Sequence, residues 1–238
     1  MKLIVTGATG LVGSEIIRQC LAKPEVTSVV AVARKAVTAK DPVNASKLKS
    51  VVISDYEAYP DDVKTQFAGA DACIWTVAVT PFSIGKLQPP EVKRICQTCT
   101  IAGFKAMYEA ETKKPFRFIY FSAEGTPTDL SKPPAFMAQY QLMRGETEKM
   151  VLDLPTKYPE SKVCVVHPGV VTNSTSPGRI IVQSLFRFTN IFTRAFPNVD
   201  RDQLSAATIE LAVNGFPGDS LTNNELVDIG SKALKAGK

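Results

Sequence analysis

Glycines at positions 7, 10 and 13 stand between an apolar run, Leu3-Ile-Val-Thr6, and a segment from Leu11 whose apolar residues recur at helical spacing. Gly7 can take a turn conformation that a side chain would forbid, Gly10 lets the main chain approach a ligand, and Gly13 lets the helix pack close to the strand. The expected helix, 11–22, then aims its free N–H groups and positive dipole end at an anion. Gly7, Thr9, Gly10, Leu11, Val12 and Gly13 are therefore expected to cradle the pyrophosphate of a dinucleotide. A glycine triplet alone is a weak signal; one that closes a strand and opens an amphipathic helix is specific. The bland alternative is a tight strand-to-helix turn with no ligand. Other clusters promise less chemistry. Cys96-x-x-Cys99 falls inside an expected helix with no second pair, and the odd set Cys20, Cys73, Cys96, Cys99 and Cys164 suits reduced thiols packed as small core residues. His167 is the only histidine, so no metal site is expected.

These residues need a scaffold, and the pattern supplies one. Apolar runs over 3–6, 27–33, 50–54, 72–76, 117–121 and 162–166 alternate with expected helices over 11–22, 56–67, 90–111, 135–154, 180–196, 202–214 and 225–234. Near-continuous apolar strands joined by crossover helices predict an α/β fold, a doubly wound parallel sheet covered on both faces. Asp202 reads as a helix N-cap and Gly215 as a C-terminal stop. The chain is expected to be a single domain over 1–238 with a small substrate lobe from segments 172–200 and 215–238. Pro-rich patches at 81–90 and 126–134 follow strand C-termini, where open α/β sheets bind ligands.

About twenty residues beyond the glycines, sites selective for NAD carry an acid for the ribose 2′-hydroxyl. This chain has Arg34-Lys35 there. Two cations could grip a 2′-phosphate, so NADP is expected ahead of NAD.

Thr6-Gly-Ala-Thr-Gly-Leu-Val-Gly13, with its Gly-x-x-Gly-x-x-Gly spacing, resembles the opening of the extended and atypical short-chain dehydrogenases/reductases. The resemblance implies a Rossmann sheet. The Tyr helix, the Pro-Gly segment and the ending Asn224-Glu-Leu-Val-Asp-Ile-Gly are most similar to the NmrA-like and Tat-interacting-protein-like branch, and the likeness spans nearly the whole chain. That family uses a serine to orient a carbonyl, a tyrosine to transfer a proton, and a lysine one helical turn later. Tyr140-Gln-Leu-Met-Arg144-Gly-Glu matches the position of that helix, with arginine in place of lysine. An i, i+4 spacing puts both groups on one helix face, where a cation can pull a phenol's pKa down. Arginine keeps the charge and the donors but cannot relay a proton. Phe121-Ser122-Ala-Glu124-Gly resembles the family's serine stretch, so Ser122 is the expected carbonyl orienter, and Glu124 enters the same neighbourhood as an alternative acid or base. The resemblance further implies that Asp55 contacts adenine, that Thr76 and Pro168-Gly169-Val170 line the cofactor, and that His167 and Asn173 border the substrate.

Composition narrows the class. The 238 residues carry a net charge of +5 with 45% hydrophobic and 21% charged residues, ordinary for a soluble chain. Lysines and arginines are scattered, so nucleic acid is not an expected partner. Neither a signal peptide nor a membrane span is read, and a cytoplasmic location is expected. A stripe of Ile181, Leu185, Phe188, Phe192 and Phe196 is read as packing in the substrate lobe, with a lipid surface or a subunit contact as alternatives. The expected function is an NADP-dependent reductase acting on a small carbonyl compound. A cofactor-binding regulator without turnover and a non-redox isomerase or cyclase stay open beside it. Members of the resembled family often form homodimers.

Overall fold

The computed structural model describes residues 1–39, 42–172 and 197–236. Seven strands form one sheet in the order β3-β2-β1-β4-β5-β6-β9. They are β1 (Lys2–Thr6), β2 (Ser28–Ala33), β3 (Leu48–Val52), β4 (Ala72–Trp75), β5 (Phe116–Phe121), β6 (Ser161–Val166) and β9 (Ser220–Leu221). Every neighbouring pair is parallel. A separate parallel pair joins β7 (Val170–Thr172) to β8 (Asn198–Asp200). The helices are α1 (Leu11–Ala22), α2 (Asp61–Phe67), α3 (Pro89–Lys93), α4 (Cys99–Tyr108), α5 (Ala138–Leu152), α6 (Leu154–Lys157), α7 (Arg201–Asn214) and α8 (Asn223–Ala236).

A period of two explains why both sheet faces are covered. Leu3, Val5, Val29, Ala31, Ile74 and Cys164 pack on one side with Ile16, Cys20, Leu204 and Leu211, so α1 and α7 cover that face. Ile4, Val30, Cys73, Trp75, Phe118 and Val165 point the other way, onto Phe67, Phe104, Met107 and Val151. The strand order reverses between β2-β1 and β4-β5, and a crevice at such a switch point is where dinucleotides bind in this architecture.

Several element boundaries differ from the sequence expectation. The helix expected over 56–67 begins only at Asp61, because Tyr56 and Tyr59 are buried in the segment before Pro60. The helix expected over 90–111 is interrupted by a π-helical turn, Arg94–Thr98, between α3 and α4. The cap of α7 is Asp200, whose side chain accepts the Asp202 N–H at 2.8 Å while Gln203 returns a bond to the Asp200 N–H, so Asp202 lies inside the helix. Gly215 ends that helix at φ +88°, as its residue type suggested. The strands β7, β8 and β9 are two or three residues long, too short to leave a pattern. Asn173 and the expected helix 180–196 with its aromatic stripe lie outside the described residues.

Candidate active site

The site is built at the C-terminal ends of β1, β4, β5 and β6. At the end of β1, Gly7 adopts φ +64°, and its N–H donates to the Tyr56 hydroxyl at 3.2 Å. The Tyr56 hydroxyl donates in turn to the Val32 carbonyl at 3.0 Å, so the turn is anchored on β2. A Cβ on Gly7 would meet Thr76 Oγ1 at 2.5 Å, and Thr76 donates that hydroxyl to the Thr6 carbonyl at 2.7 Å. Thr76 thus closes β4 against β1 at the switch point. A Cβ on Gly13 would lie 2.5 Å from the Gly7 carbonyl oxygen, so α1 rests on the turn itself. Gly10 is the N-cap residue of α1 and provides no side-chain cap, while Thr9 and Gly10 are exposed. The first-turn N–H groups at Leu11, Val12 and Gly13 therefore present an uncapped, positively polarised end to a ligand. This is the fit an NAD(P) pyrophosphate requires.

At the neighbouring strand ends, Arg34 and Lys35 are exposed just past β2. Asp55 does not stand free: both its carboxylate oxygens accept from Arg94 Nη1 at 2.9 Å, and the guanidinium holds that carboxyl below the usual range. Arg94 also reaches Glu57 and Glu91, so the π-helical turn places one cation among three acids.

On the reacting side, Tyr140 and Arg144 lie one turn apart on α5. Arg144 is 3% exposed. Its Nη2 donates to the Phe121 carbonyl at the end of β5, its guanidinium lies 5.1 Å from the centre of the Tyr120 ring, and Nε and Nη1 meet no partner among the described residues. The Tyr140 hydroxyl donates to the Val79 carbonyl at 2.8 Å, while the Val79 N–H donates to Cys96 Sγ at 3.3 Å. Burial pushes the Tyr140 phenol up against the opposing pull of Arg144, which keeps it protonated near neutrality.

Ser122 is buried and donates its hydroxyl to Glu148 Oε1, with Thr126 Oγ1 at 3.2 Å. The other Glu148 oxygen faces His167 Nε2 at 3.1 Å, and His167 Nδ1 faces the Leu221 carbonyl at 3.3 Å. Burial lowers the affinity of His167 for its proton, but Glu148 and the Leu221 carbonyl outweigh it and raise its pKa overall. Glu124 is exposed; its N–H donates to the Pro168 carbonyl at 3.0 Å and its carboxylate accepts the Asn223 N–H at 3.4 Å. Gly169 donates its N–H to Asn223 Oδ1 at 2.8 Å, and Val170 starts β7 with its N–H on Pro197. The structure therefore brings Tyr140 and Arg144 together and brings Ser122 and His167 together through Glu148. Tyr56, Glu148 and Asn223 were not singled out from the sequence, and Cys96 was read there only as a small core residue. Glu148 left one usable signal: it lies four residues past Arg144 and eight past Tyr140, on the same helix face.

Residues 7–212 match the family model described as NAD(P)H-binding. The mitochondrial protein FMP52 of Candida albicans is 22% identical over 92% of this chain and 91% of its own length. Among solved structures, DesIV, a dTDP-glucose 4,6-dehydratase from Streptomyces venezuelae with NAD bound, superposes with a TM-score of 0.69 at 17% identity, over 99% of this chain and 81% of that one. Vestitone reductase from alfalfa superposes at 0.68 and 20% identity, over 93% and 76%. No described helix is long and apolar enough to cross a membrane.

Proposed function

This chain belongs to the NAD(P)H-binding family, and from that premise we propose that it is an NADP-dependent reductase acting on a small carbonyl compound. The observation that carries the reading is Arg144, a buried guanidinium with Nε and Nη1 unpartnered, one turn after Tyr140. Buried donors without acceptors are costly, about 1–3 kcal/mol each and more for charged groups. A bound ribose would supply the missing acceptors, so Arg144 is assigned as the ribose clamp in the place where the resembled family has lysine. When bound, the dinucleotide supplies hydride. Tyr140, held protonated by burial, gives the proton to the developing alkoxide oxygen. Ser122 orients the carbonyl. Gly7, Thr9, Gly10, Leu11, Val12 and Gly13 hold the pyrophosphate, Thr76 and Pro168 to Val170 flank the cofactor, and the exposed Arg34 and Lys35 receive the 2′-phosphate. Asp55 contacts adenine only with Arg94 attached, since that ion pair fills its carboxylate. Glu124 holds the Pro168 to Val170 segment in place. Asn173 stays assigned to the substrate side.

One observation favours a second reading, an NADP-binding regulator without turnover. Both hydroxyls that the chemistry needs are already donated, Ser122 to Glu148 and Tyr140 to Val79. The deciding experiment is fluorescence titration with NADPH and NADH, followed by NADPH oxidation across a carbonyl panel. Tighter NADPH binding that reverses in Arg34→Glu, together with turnover, is the expected result. NADH bound equally well would sink the 2′-phosphate assignment, and NADPH bound but never oxidised would leave the regulator. A cytoplasmic location is proposed against the mitochondrial designation of the Candida relative, and imaging of the tagged full chain decides it.

A further inference from the structure

Glu148 is a buried carboxyl group that the chemistry above leaves unused. It sits on α5 with 6% exposure, at a depth where an ionised carboxylate persists only when its oxygens are paired. Both are: Oε1 accepts the Ser122 hydroxyl, and Oε2 faces His167 Nε2 at 3.1 Å. Both ring nitrogens of His167 face oxygen atoms. Nδ1 faces the Leu221 carbonyl at 3.3 Å, and a carbonyl can only accept, so this contact is attractive when Nδ1 carries a proton. Nε2 faces a carboxylate, so the contact is attractive when Nε2 carries a proton as well. With both ring protons in place, ring and carboxylate form an imidazolium–carboxylate pair.

The pair joins four parts of the fold: Ser122 past the end of β5, Glu148 on α5, His167 past the end of β6, and Leu221 on β9. Directly after His167 come Pro168 and Gly169, pinned by the Glu124 N–H and by Asn223. One carboxylate thus sets the place of the Ser122 oxygen and the seat of the segment that flanks the cofactor in the proposed reading.

We propose that Glu148, with His167 as its charge partner, is a positioning residue that holds Ser122 and the 167–170 segment in register with each other. The consequence for catalysis rests on the reductase reading; the register itself does not. When His167 loses one of its two ring protons, Nε2 keeps the N–H that faces the carboxylate, but the positive charge balancing Glu148 is gone and the ion pair falls to a hydrogen bond, so the register loosens as pH rises. The charged groups facing His167 among the described residues are Glu148 from α5 and Glu124 from the loop after β5. From β9 come only the Leu221 carbonyl and the Ser220 hydroxyl, the latter at 3.5 Å. Arg144 adds positive charge near Glu148 from the same helix.

Because the chain has one histidine, its ring signals in a proton–nitrogen spectrum of the full-length protein need no assignment. The expected result is a ring that titrates above the ordinary histidine value in the wild type. In Glu148→Gln it should hold its proton roughly tenfold less tightly, equivalent to about 1.4 kcal/mol. Ser122→Ala should move the titration the other way, since a carboxylate relieved of the serine donor binds the imidazolium more strongly. Should Glu148→Gln fail to fold, Ser122→Ala and His167→Arg still decide the matter, the latter keeping the positive charge at every pH. If turnover is found, Glu148→Gln should lower kcat about tenfold while leaving KM for NADPH within about twofold. His167→Arg should remove the loss of activity at alkaline pH. Titration unchanged in both Glu148→Gln and Ser122→Ala would overturn the proposal. A protein that shows the expected titrations but neither binds nor oxidises NADPH would overturn the reductase reading and leave the register standing.

Discussion

Substituting Gly13 with alanine separates the backbone cradle from a mere packing turn. An added Cβ would lie 2.5 Å from the Gly7 oxygen, 3.0 Å from the Gly7 carbonyl carbon and 3.2 Å from the Ala8 Cα. All three are main-chain atoms, so no rotamer change relieves the contact. Either α1 or the 7–8 turn must move by about 0.9 Å to reach ordinary contact at 3.4 Å. Overpacking of this kind costs about 1–3 kcal/mol. Alanine returns about 1 kcal/mol of helix propensity in the helix body. The net loss of stability is therefore about 0–2 kcal/mol, or roughly 0–8 °C in a chain of this size. Binding suffers more. The displacement falls on the N–H groups that would meet the pyrophosphate, and losing one charge-assisted bond costs about 1.5–3 kcal/mol, roughly ten- to a hundredfold in Kd. NADPH fluorescence titration alongside thermal unfolding measures both. Gly10→Ala is the control. Its Cβ meets the Gly7 oxygen at 3.0 Å, which calls for a smaller shift than the 2.5 Å approach at Gly13, and its φ of −75° suits any residue, so unfolding should change less than in Gly13→Ala while ligand approach is blocked. A Gly13→Ala protein that binds NADPH within about twofold of wild type would refute the cradle.

Three further outcomes are expected. Arg144→Met removes a buried charge with two unpartnered nitrogens, so the unliganded protein should unfold within about 1 kcal/mol of wild type or later, while the thermal shift on adding NADPH shrinks; a collapse of unliganded stability would show that Arg144 is structural. Gly103→Ala drives a Cβ to 2.3 Å from the Trp75 ring, which is fully buried, and should cost about 1–3 kcal/mol with no effect on cofactor affinity. The raised pKa of His167 means that the folded state binds its proton more tightly than the unfolded chain does. That stabilisation is complete below the ordinary histidine value of about 6.5 and is lost as pH rises through the folded value. Urea unfolding at a series of pH values should show this decline in the wild type and a flatter curve in Glu148→Gln; parallel curves would remove the ion pair.

What could be read from the sequence depended on whether backbone or side chains build the feature. The β1 turn announces itself because glycine alone combines φ +64° with the 2.5 Å approach of Thr76 at position 7 and meets a 2.5 Å backbone approach at position 13. The core strands announce themselves because both faces are buried, which makes Val29-Val-Ala-Val-Ala33 apolar throughout. Helix ends were less legible. Tyr56 and Tyr59 look helical by spacing, yet burial against Trp75 and Phe67 holds them in the segment before α2. The π-helical turn has no local signature in Arg94-Ile-Cys-Gln-Thr98; it places Arg94 on Asp55 and Cys96 under Val79, both long-range contacts.

The same division explains why Ser122 and Arg144 could be located by resemblance while their surroundings could not. Arg144 keeps the charge of the residue it replaces but spreads it over a larger planar group with five donors, and among the described residues only one of its nitrogens finds a protein acceptor. A guanidinium of that size cannot pass a proton on. The ionisable pair nearest to Ser122 is then Glu148 with His167, whose side chain is 17% exposed. In this chain the one histidine lies on the Ser122 side of the site, and the Tyr140–Arg144 side carries a phenol and a guanidinium that both keep their protons near neutrality. A pH profile of turnover that follows the His167 ring titration, instead of a tyrosine ionisation, is the kinetic form that this arrangement requires.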